Sequence, residues 1–183
     1  MLRVIAGKYK RTQLYTLEGE EVTRPTRDMV REAYFSSIMI NSDTLFLDLF
    51  SGSGAIGIEA LSRGAKDVVF NDINIDAVKI IRRNLDKLHE ERKVYNLDYQ
   101  TCLEKLKGNG FDHIYLDPPY AFDEFEKVFE LLKKYGILSK NGIVTIEVRK
   151  DHDLKESYED MVLYKERRYG INKLLYYKEK KDD

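Results

Sequence analysis

Residues 44–64, TLFLDLFSGSGAIGIEALSRG, contain the features that decide the fold of this chain. Their first four residues are β-branched or apolar and predict a short strand, while the apolar positions within 56–61 predict one face of a helix. Between them, Gly52, Gly54 and Gly57 form G-x-G-x-x-G, a spacing that lets the backbone turn tightly and lie close to a ligand. A strand before the loop and a helix after it are the context that nucleotide binding requires.

Two acidic residues narrow the choice of nucleotide. Asp48 ends the first predicted strand, where an anion would repel the phosphates of a dinucleotide but would suit an ammonium or sulfonium cation, as in the methionine part of S-adenosylmethionine. Asp72 follows the strand predicted at 67–71 and lies twenty residues after Gly52, a position from which an acid can accept hydrogen bonds from ribose hydroxyls. The alternative for Asp72 is an ordinary helix N-cap.

The remaining chain continues the alternation of strands and helices. Further strands are predicted at 93–97, 111–116 and 143–148, with helices at 26–41, 75–88, 101–106 and 122–135, and a closing strand pair at 161–167 and 171–178. This order predicts a mostly parallel sheet with helices on both faces and an antiparallel edge. Residues 1–24 are expected to form a hairpin appendage and residues 25–183 the main domain.

Four aspartates occupy equivalent positions in this scheme. Asp48, Asp72, Asp98 and Asp117 each stand at the carboxyl end of a predicted strand. Ligands of such sheets lie outside the carboxyl ends of the strands, so the four carboxylates are expected to converge on one crevice.

Composition limits the class of protein. The 183 residues suffice for one α/β domain, and no apolar run approaches the roughly 20 residues that span a bilayer. Without a signal peptide, and with a single cysteine, we expect a cytoplasmic protein that needs no metal. The net charge is only −1, yet basic residues gather near the start of the chain and near its end, which indicates a possible phosphate-binding face.

The segment from Asp117 to Tyr120, DPPY, carries the most specific chemistry. Two prolines fix the backbone and remove two donors, which leaves a rigid corner of acceptors. The exocyclic amine of a base could donate one hydrogen to the Asp117 carboxylate and another to the Pro118 carbonyl, while Tyr120 stacks on the base. The alternative is a proline turn that ends a strand beside a core tyrosine.

These motifs resemble those of the class I S-adenosylmethionine-dependent methyltransferases with D/N-P-P-Y, and more narrowly the RsmD family, which methylates the N2 amine of a guanine in 16S ribosomal RNA. The similarity extends over nearly the whole chain, through RVIAGKYKR, RPTRDMVREAYF, DLFSGSGAIGIEALSRGA, DPPY and RRYGINKLLYY. The resemblance implies a Rossmann-like seven-stranded methyltransferase sheet with a small N-terminal hairpin. Asn71-Asp72 departs from the more usual valine-glutamate but keeps the acid.

The resemblance also assigns residues to roles. It implies a cofactor site in which Asp48 and the glycine loop contact the methionine part, Asp72 contacts the ribose and Asp98 contacts the adenine. The residues of this site are Asp48, Phe50, Ser51, Gly52, Gly54, Asp72 and Asp98. It implies a catalytic set of Asp117, Pro118 and Tyr120. The basic residues near the start of the chain, together with the RPT stretch of the resemblance, predict RNA contacts from Lys8, Lys10, Arg11, Arg24, Thr26, Arg27 and Arg31. The expected partner is 16S ribosomal RNA or a small-subunit assembly particle, bound by a monomer.

Three rival functions stay open. An N6-adenine methyltransferase would use the same DPPY, although 183 residues leave no room for a separate DNA-recognition domain. A nicotinamide-dependent dehydrogenase would use the glycine loop but would have no reason for Asp48 or DPPY. A catalytically inactive RNA-binding subunit would be expected to have lost the carboxylate of Asp48 or Asp117.

Overall fold

The computed structural model describes residues 2–17 and 25–181. Its helices are α1 Pro25–Ser37, α2 Ala55–Ser62, α3 Ile75–Lys87, α4 Tyr99–Lys105 and α5 Phe125–Tyr135. Its strands are β1 Leu45–Asp48, β2 Asp67–Asn71, β3 Val94–Tyr95, β4 Phe111–Leu116, β5 Leu138–Arg149, β6 Ser157–Tyr158, β7 Met161–Tyr169 and β8 Asn172–Glu179.

The strands form one sheet in the order β3-β2-β1-β4-β5-β8-β7-β6. The first five in this order are parallel, and β8 and β7 continue the sheet as an antiparallel hairpin. The predicted mostly parallel α/β fold is therefore confirmed. Within the described ranges the sheet has eight strands rather than seven, because Ser157 and Tyr158 pair with β7 as a two-residue edge strand.

Two apolar layers cover the sheet, one on each face. The strands alternate their side chains between these layers: in β1, Phe46 belongs to one core cluster and Leu47 to the other. Helices α1, α2 and α3 pack on the Phe46 side, and α4 and α5 pack on the Leu47 side. Because helices pack on both faces of the sheet, the carboxyl ends of the parallel strands are held together along one edge.

The N-terminal segment 2–17 pairs with itself and packs on the helices. Arg3 and Gln13 form an isolated antiparallel bridge rather than the two regular strands that the sequence suggested. The buried carboxylate of Glu59 in α2 accepts hydrogen bonds from the backbone N–H groups of Ile5, at 2.9 Å, and Ala6, at 3.0 Å. The segment is thus tied to the helix that follows the glycine loop.

Three element boundaries differ from the sequence prediction by three residues or more. Helix α1 ends at Ser37 rather than residue 41, and α5 begins at Phe125 rather than residue 122. Strand β5 begins at Leu138, within a stretch predicted to be a connection, because Leu138 pairs with Phe111 across an irregularity in register. In the part of the chain that the structure describes, no helix is long and apolar enough to cross a membrane.

Candidate active site

A pocket of about 880 Å³ opens at the carboxyl ends of the parallel strands. From β1 the chain leads first to β2 and β3 on one side and then to β4 on the other, so β1 and β4 flank the switch point where ligands of such sheets bind. The four aspartates at the ends of the strands all line this pocket: Asp48, Asp72, Asp98 and Asp117. The structure therefore brings the four aspartates to one pocket, as the sequence predicts.

The glycine loop forms the base of the pocket beside Asp48. Gly54 begins α2 with a positive φ of 81°, a conformation that favours glycine. A Cβ on Gly57 would lie 2.2 Å from Cε1 of Phe70, so only glycine lets α2 approach β2 this closely. The Gly57 N–H donates to Oδ2 of Asp48 at 3.0 Å. This hydrogen bond therefore holds the Asp48 carboxylate against the start of α2.

The Asp48 carboxylate is 1% exposed, and burial raises its pKa to about 7 despite the hydrogen bond from Gly57. The nearby charge of Asp72 acts in the same direction as burial. Ser51 supports this arrangement, since its hydroxyl donates to the backbone carbonyl of Asp48 at 2.6 Å. A cation placed at Asp48 would favour the ionised form of this carboxylate.

Asp72 connects the glycine loop to the start of α3, because each of its carboxylate oxygens accepts one backbone hydrogen bond. One accepts a hydrogen bond from Gly52 N–H at 2.8 Å, and the other accepts one from Asn74 N–H at 2.8 Å. The N-cap of α3 is Asn74, whose side chain accepts from Asp76 N–H, so the alternative interpretation of Asp72 as the helix cap is wrong. Each oxygen keeps a lone pair for a ligand hydroxyl.

Asp98 has a structural contact in addition to its place in the pocket. Its carboxylate caps α4 by accepting from the backbone N–H of Thr101 at 3.0 Å and from its hydroxyl at 2.7 Å. These hydrogen bonds, led by the backbone one, lower the pKa of Asp98. An adenine contact from Asp98 stays a prediction.

Aromatic rings form the wall of the pocket next to Asp98. The ring centroid of Phe122 lies 5.2 Å from that of Phe50 and 5.4 Å from that of Tyr99, both in edge-to-face geometry. All three residues line the pocket. This wall offers flat apolar surface to an aromatic ligand.

The DPPY corner follows β4 and faces two spaces at once. Asp117, Pro118 and Pro119 line the 880 Å³ pocket and also a second, adjoining pocket of about 310 Å³. Tyr120 lines only the second and is 71% exposed, with the Arg149 guanidinium 5.2 Å from its ring centroid. An exposed tyrosine here agrees with a stacking role and not with the alternative of a core tyrosine.

The predicted RNA contacts fall into several groups. Lys8, Lys10 and Arg11 are exposed on the N-terminal segment, and Arg27 is exposed beside both pockets. The prediction that Arg31 contacts RNA must be corrected, because its side chain is buried.

The Arg31 side chain is only 4% exposed, and its guanidinium donates to the Arg3 carbonyl at 2.6 Å and to Asp28 at 3.1 Å. Burial lowers its pKa, and its contacts stabilise the protein's own backbone instead of leaving it exposed to RNA. Arg24 and the side chain of Thr26 lie outside the described residues.

The polar residues of the site that the sequence did not predict include Glu147 and Asn172. Glu147, near the end of β5, lines both pockets and accepts a hydrogen bond from Asn172 of β8 at 2.8 Å. Glu147 lies two residues before the end of β5, close to the strand ends that carry the four aspartates, so the same rule applied to β5 would have indicated it. Nothing in the sequence indicates that β8 brings Asn172 to this position.

Similar proteins were found for nearly the whole chain. The family model described as Conserved hypothetical protein 95 matches residues 2–178. Ribosomal RNA small subunit methyltransferase D of Haemophilus influenzae is 35% identical over 178 residues, which cover 93% of this chain and 90% of that protein. YlbH of Bacillus subtilis, provisionally named an rRNA methyltransferase, is 34% identical over 184 residues. The match covers 98% of this chain and 100% of YlbH.

Solved structures with the same fold include yhhF of Escherichia coli, provisionally named a methyltransferase, with a TM-score of 0.83 at 22% identity over 99% of both chains. A second, SMU.776, was solved in complex with SAH and has a TM-score of 0.67 at 13% identity. The match covers 85% of this chain and 50% of SMU.776. At these identities the likeness establishes the Rossmann-like methyltransferase fold.

Proposed function

Because the chain belongs to the RsmD family, described as Conserved hypothetical protein 95, we propose that it transfers a methyl group from S-adenosylmethionine to small-subunit ribosomal RNA, at the N2 amine of a guanine. The observation that carries the proposal is the position of the DPPY corner, which faces the same pocket as Asp48 and Asp72. Cofactor-binding acids and target-binding acceptors therefore adjoin one space. The relatives' names give small-subunit ribosomal RNA as the substrate and do not favour the N6-adenine alternative.

The pocket fits S-adenosylmethionine by its volume and its chemistry. Its 880 Å³ lies within the range of roughly 300–1,000 Å³ that is typical of ligand sites. We assign the amino group of the methionine part to Asp48, the ribose hydroxyls to Asp72 and the adenine to the wall of Phe50 and Tyr99. The cofactor supplies an electrophilic methyl group, so the residues need only position the nucleophile.

Asp117 and the Pro118 carbonyl hold that nucleophile. They accept the two hydrogens of the exocyclic amine, which aims the nitrogen lone pair and weakens its conjugation with the ring. As the new N–CH₃ bond forms and the S–CH₃ bond breaks, the nitrogen becomes cationic, and it then gives one proton to Asp117 or to water. Tyr120 stacks on the base and restricts its orientation.

The wider setting of the reaction follows from the same assignment. We place the enzyme in the cytoplasm, acting as a monomer on 16S ribosomal RNA, either free or in an assembling small subunit. The phosphate contacts would come from Lys8, Lys10, Arg11 and Arg27. These residues concentrate positive charge locally, although the net charge of the whole chain is −1.

Tritium transfer from labelled S-adenosylmethionine to small-subunit RNA or particles that lack the modification tests the proposal. We expect label in N2-methylguanosine, and a rate loss of about 100- to 1,000-fold in Asp117→Ala with cofactor affinity retained. Asp123→Ala is the matched control, because Asp123 is an exposed acid of the same loop that lines neither pocket. Full activity of Asp117→Ala, or label in N6-methyladenosine, would refute the mechanism or the assigned base, respectively.

A further inference from the structure

Two acidic residues occupy neighbouring positions where the two pockets meet. In the parallel pairing of β4 with β5, Leu116 is opposite Ile146, and the next residues are Asp117, which directly follows β4, and Glu147 of β5. Neighbouring strands lie about 4.8 Å apart, and successive side chains alternate between faces, so both side chains leave the same face of the sheet. Both residues line the 880 Å³ pocket and the 310 Å³ pocket.

The Glu147 carboxylate is held in place from two directions. The hydroxyl of Tyr115, a fully buried residue of β4, donates to one oxygen at 2.5 Å. The Asn172 amide donates to the other oxygen at 2.8 Å. An ionised carboxylate has about four acceptor positions, so these two bonds leave Glu147 able to accept further hydrogens. The group is therefore oriented without being saturated.

Two adjacent acids favour a ligand edge that carries adjacent donors. Like charges on neighbouring strands repel each other, and hydrogen-bond donors placed against both relieve that repulsion. The Watson–Crick edge of guanine presents the N1–H next to the N2 amine, and both are donors. The corresponding edge of adenine presents its amine next to an N1 lone pair, which a second carboxylate would repel.

We propose that Glu147 is a specificity-determining residue that accepts the N1–H of the target guanine while Asp117 accepts from the N2 amine. The proposal rests on the function proposed above, since it takes guanine as the substrate. Asn172 is a positioning residue, because it acts by orienting the Glu147 carboxylate. Together the two acids select guanine over bases that carry an amine beside an unprotonated ring nitrogen.

A base analogue separates recognition from structural support. 2-Aminopurine keeps the amine of guanine but has an N1 lone pair in place of N1–H. Small-subunit RNA would carry guanine or 2-aminopurine at the mapped target position, and single-turnover methyl transfer would be measured for both. We expect wild-type protein to prefer guanine by about tenfold or more, since a base contact of this kind discriminates by about 1–3 kcal/mol.

Glu147→Gln keeps the shape of the side chain but can donate to N1 of 2-aminopurine. We expect this variant to methylate guanine more slowly and to lose most of the preference for guanine. Its affinity for S-adenosylhomocysteine should stay within about twofold of wild type, which excludes a folding defect as the cause. Asn172→Ala keeps the Glu147 carboxylate and its bond from Tyr115 but frees the other oxygen, so it should lose a smaller part of the preference for guanine. Glu130→Gln is the matched control, because Glu130 is exposed on α5 and paired with Lys127.

The outcomes separate this inference from the proposed function. An unchanged guanine preference in both Glu147→Gln and Asn172→Ala would overturn the inference alone. An equal loss of rate on guanine and 2-aminopurine in Glu147→Gln would also overturn it, because that is the signature of a structural role. Wild-type label on adenine would overturn both the guanine assignment and the inference.

Discussion

Replacing Asp48 by asparagine should stabilise the protein without ligand and weaken its binding of the cofactor. Burial raises the pKa of Asp48 from 3.8 to about 7, so the native state binds more protons than the unfolded state between these pH values. The free energy of unfolding must then fall as pH rises through this interval and level off above about pH 7. At 1.36 kcal/mol per pK unit, the loss amounts to about 4 kcal/mol.

Asp48→Asn removes this proton linkage while its amide oxygen can still accept from Gly57 N–H. Urea denaturation of the ligand-free protein should therefore give a variant that is more stable than wild type by up to about 4 kcal/mol near pH 8 and similar to it near pH 4. Calorimetry near pH 6 should show that wild type releases protons on binding S-adenosylmethionine and that the variant does not. If the stability curves of wild type and variant run parallel across this pH range, Asp48 does not carry the raised pKa.

Further predictions concern the other residues of the site. Asp72→Ala should weaken binding of S-adenosylhomocysteine by roughly ten- to hundredfold in calorimetry, because a hydrogen bond to a charged group contributes about 1.5–3 kcal/mol. Unchanged affinity in folded protein would remove the ribose assignment. Replacing Lys8, Lys10 and Arg11 together by alanine should lower RNA affinity and reduce the slope of its salt dependence by about 0.7–0.9 for each lost phosphate contact, whereas an unchanged slope would show that they are only solvated. Tyr120→Ala should slow methyl transfer by the equivalent of a lost stack, about 1–3 kcal/mol, with cofactor affinity unchanged; wild-type rates would exclude stacking.

The sequence predicts the central part of the fold because its signals are local. The glycine spacing, the strand before it and the helix after it occur within residues 44–64, and β2 and β4 have the predicted bounds, Asp67–Asn71 and Phe111–Leu116. The rule that ligands bind at the carboxyl ends of parallel strands then brings four aspartates together without knowledge of strand order.

The sequence fails where distant parts of the chain decide the outcome. Arg31 follows Arg27 at helical spacing within a basic cluster, yet α1 turns its guanidinium towards the Arg3 carbonyl, where it is buried. The pairing of β8 with β5 sets Asn172 against Glu147, a contact between residues 25 positions apart. Neither environment has a local signal, because each depends on how separate elements pack.

Nucleoside analysis of small-subunit ribosomal RNA from cells that lack this protein shows directly whether it methylates guanine N2. We predict that one N2-methylguanosine is missing, that the wild-type protein restores it, and that Asp117→Ala protein, present at the same level, does not. If cells without the protein keep every N2-methylguanosine, or instead lose an N6-methyladenosine, the protein does not methylate guanine N2.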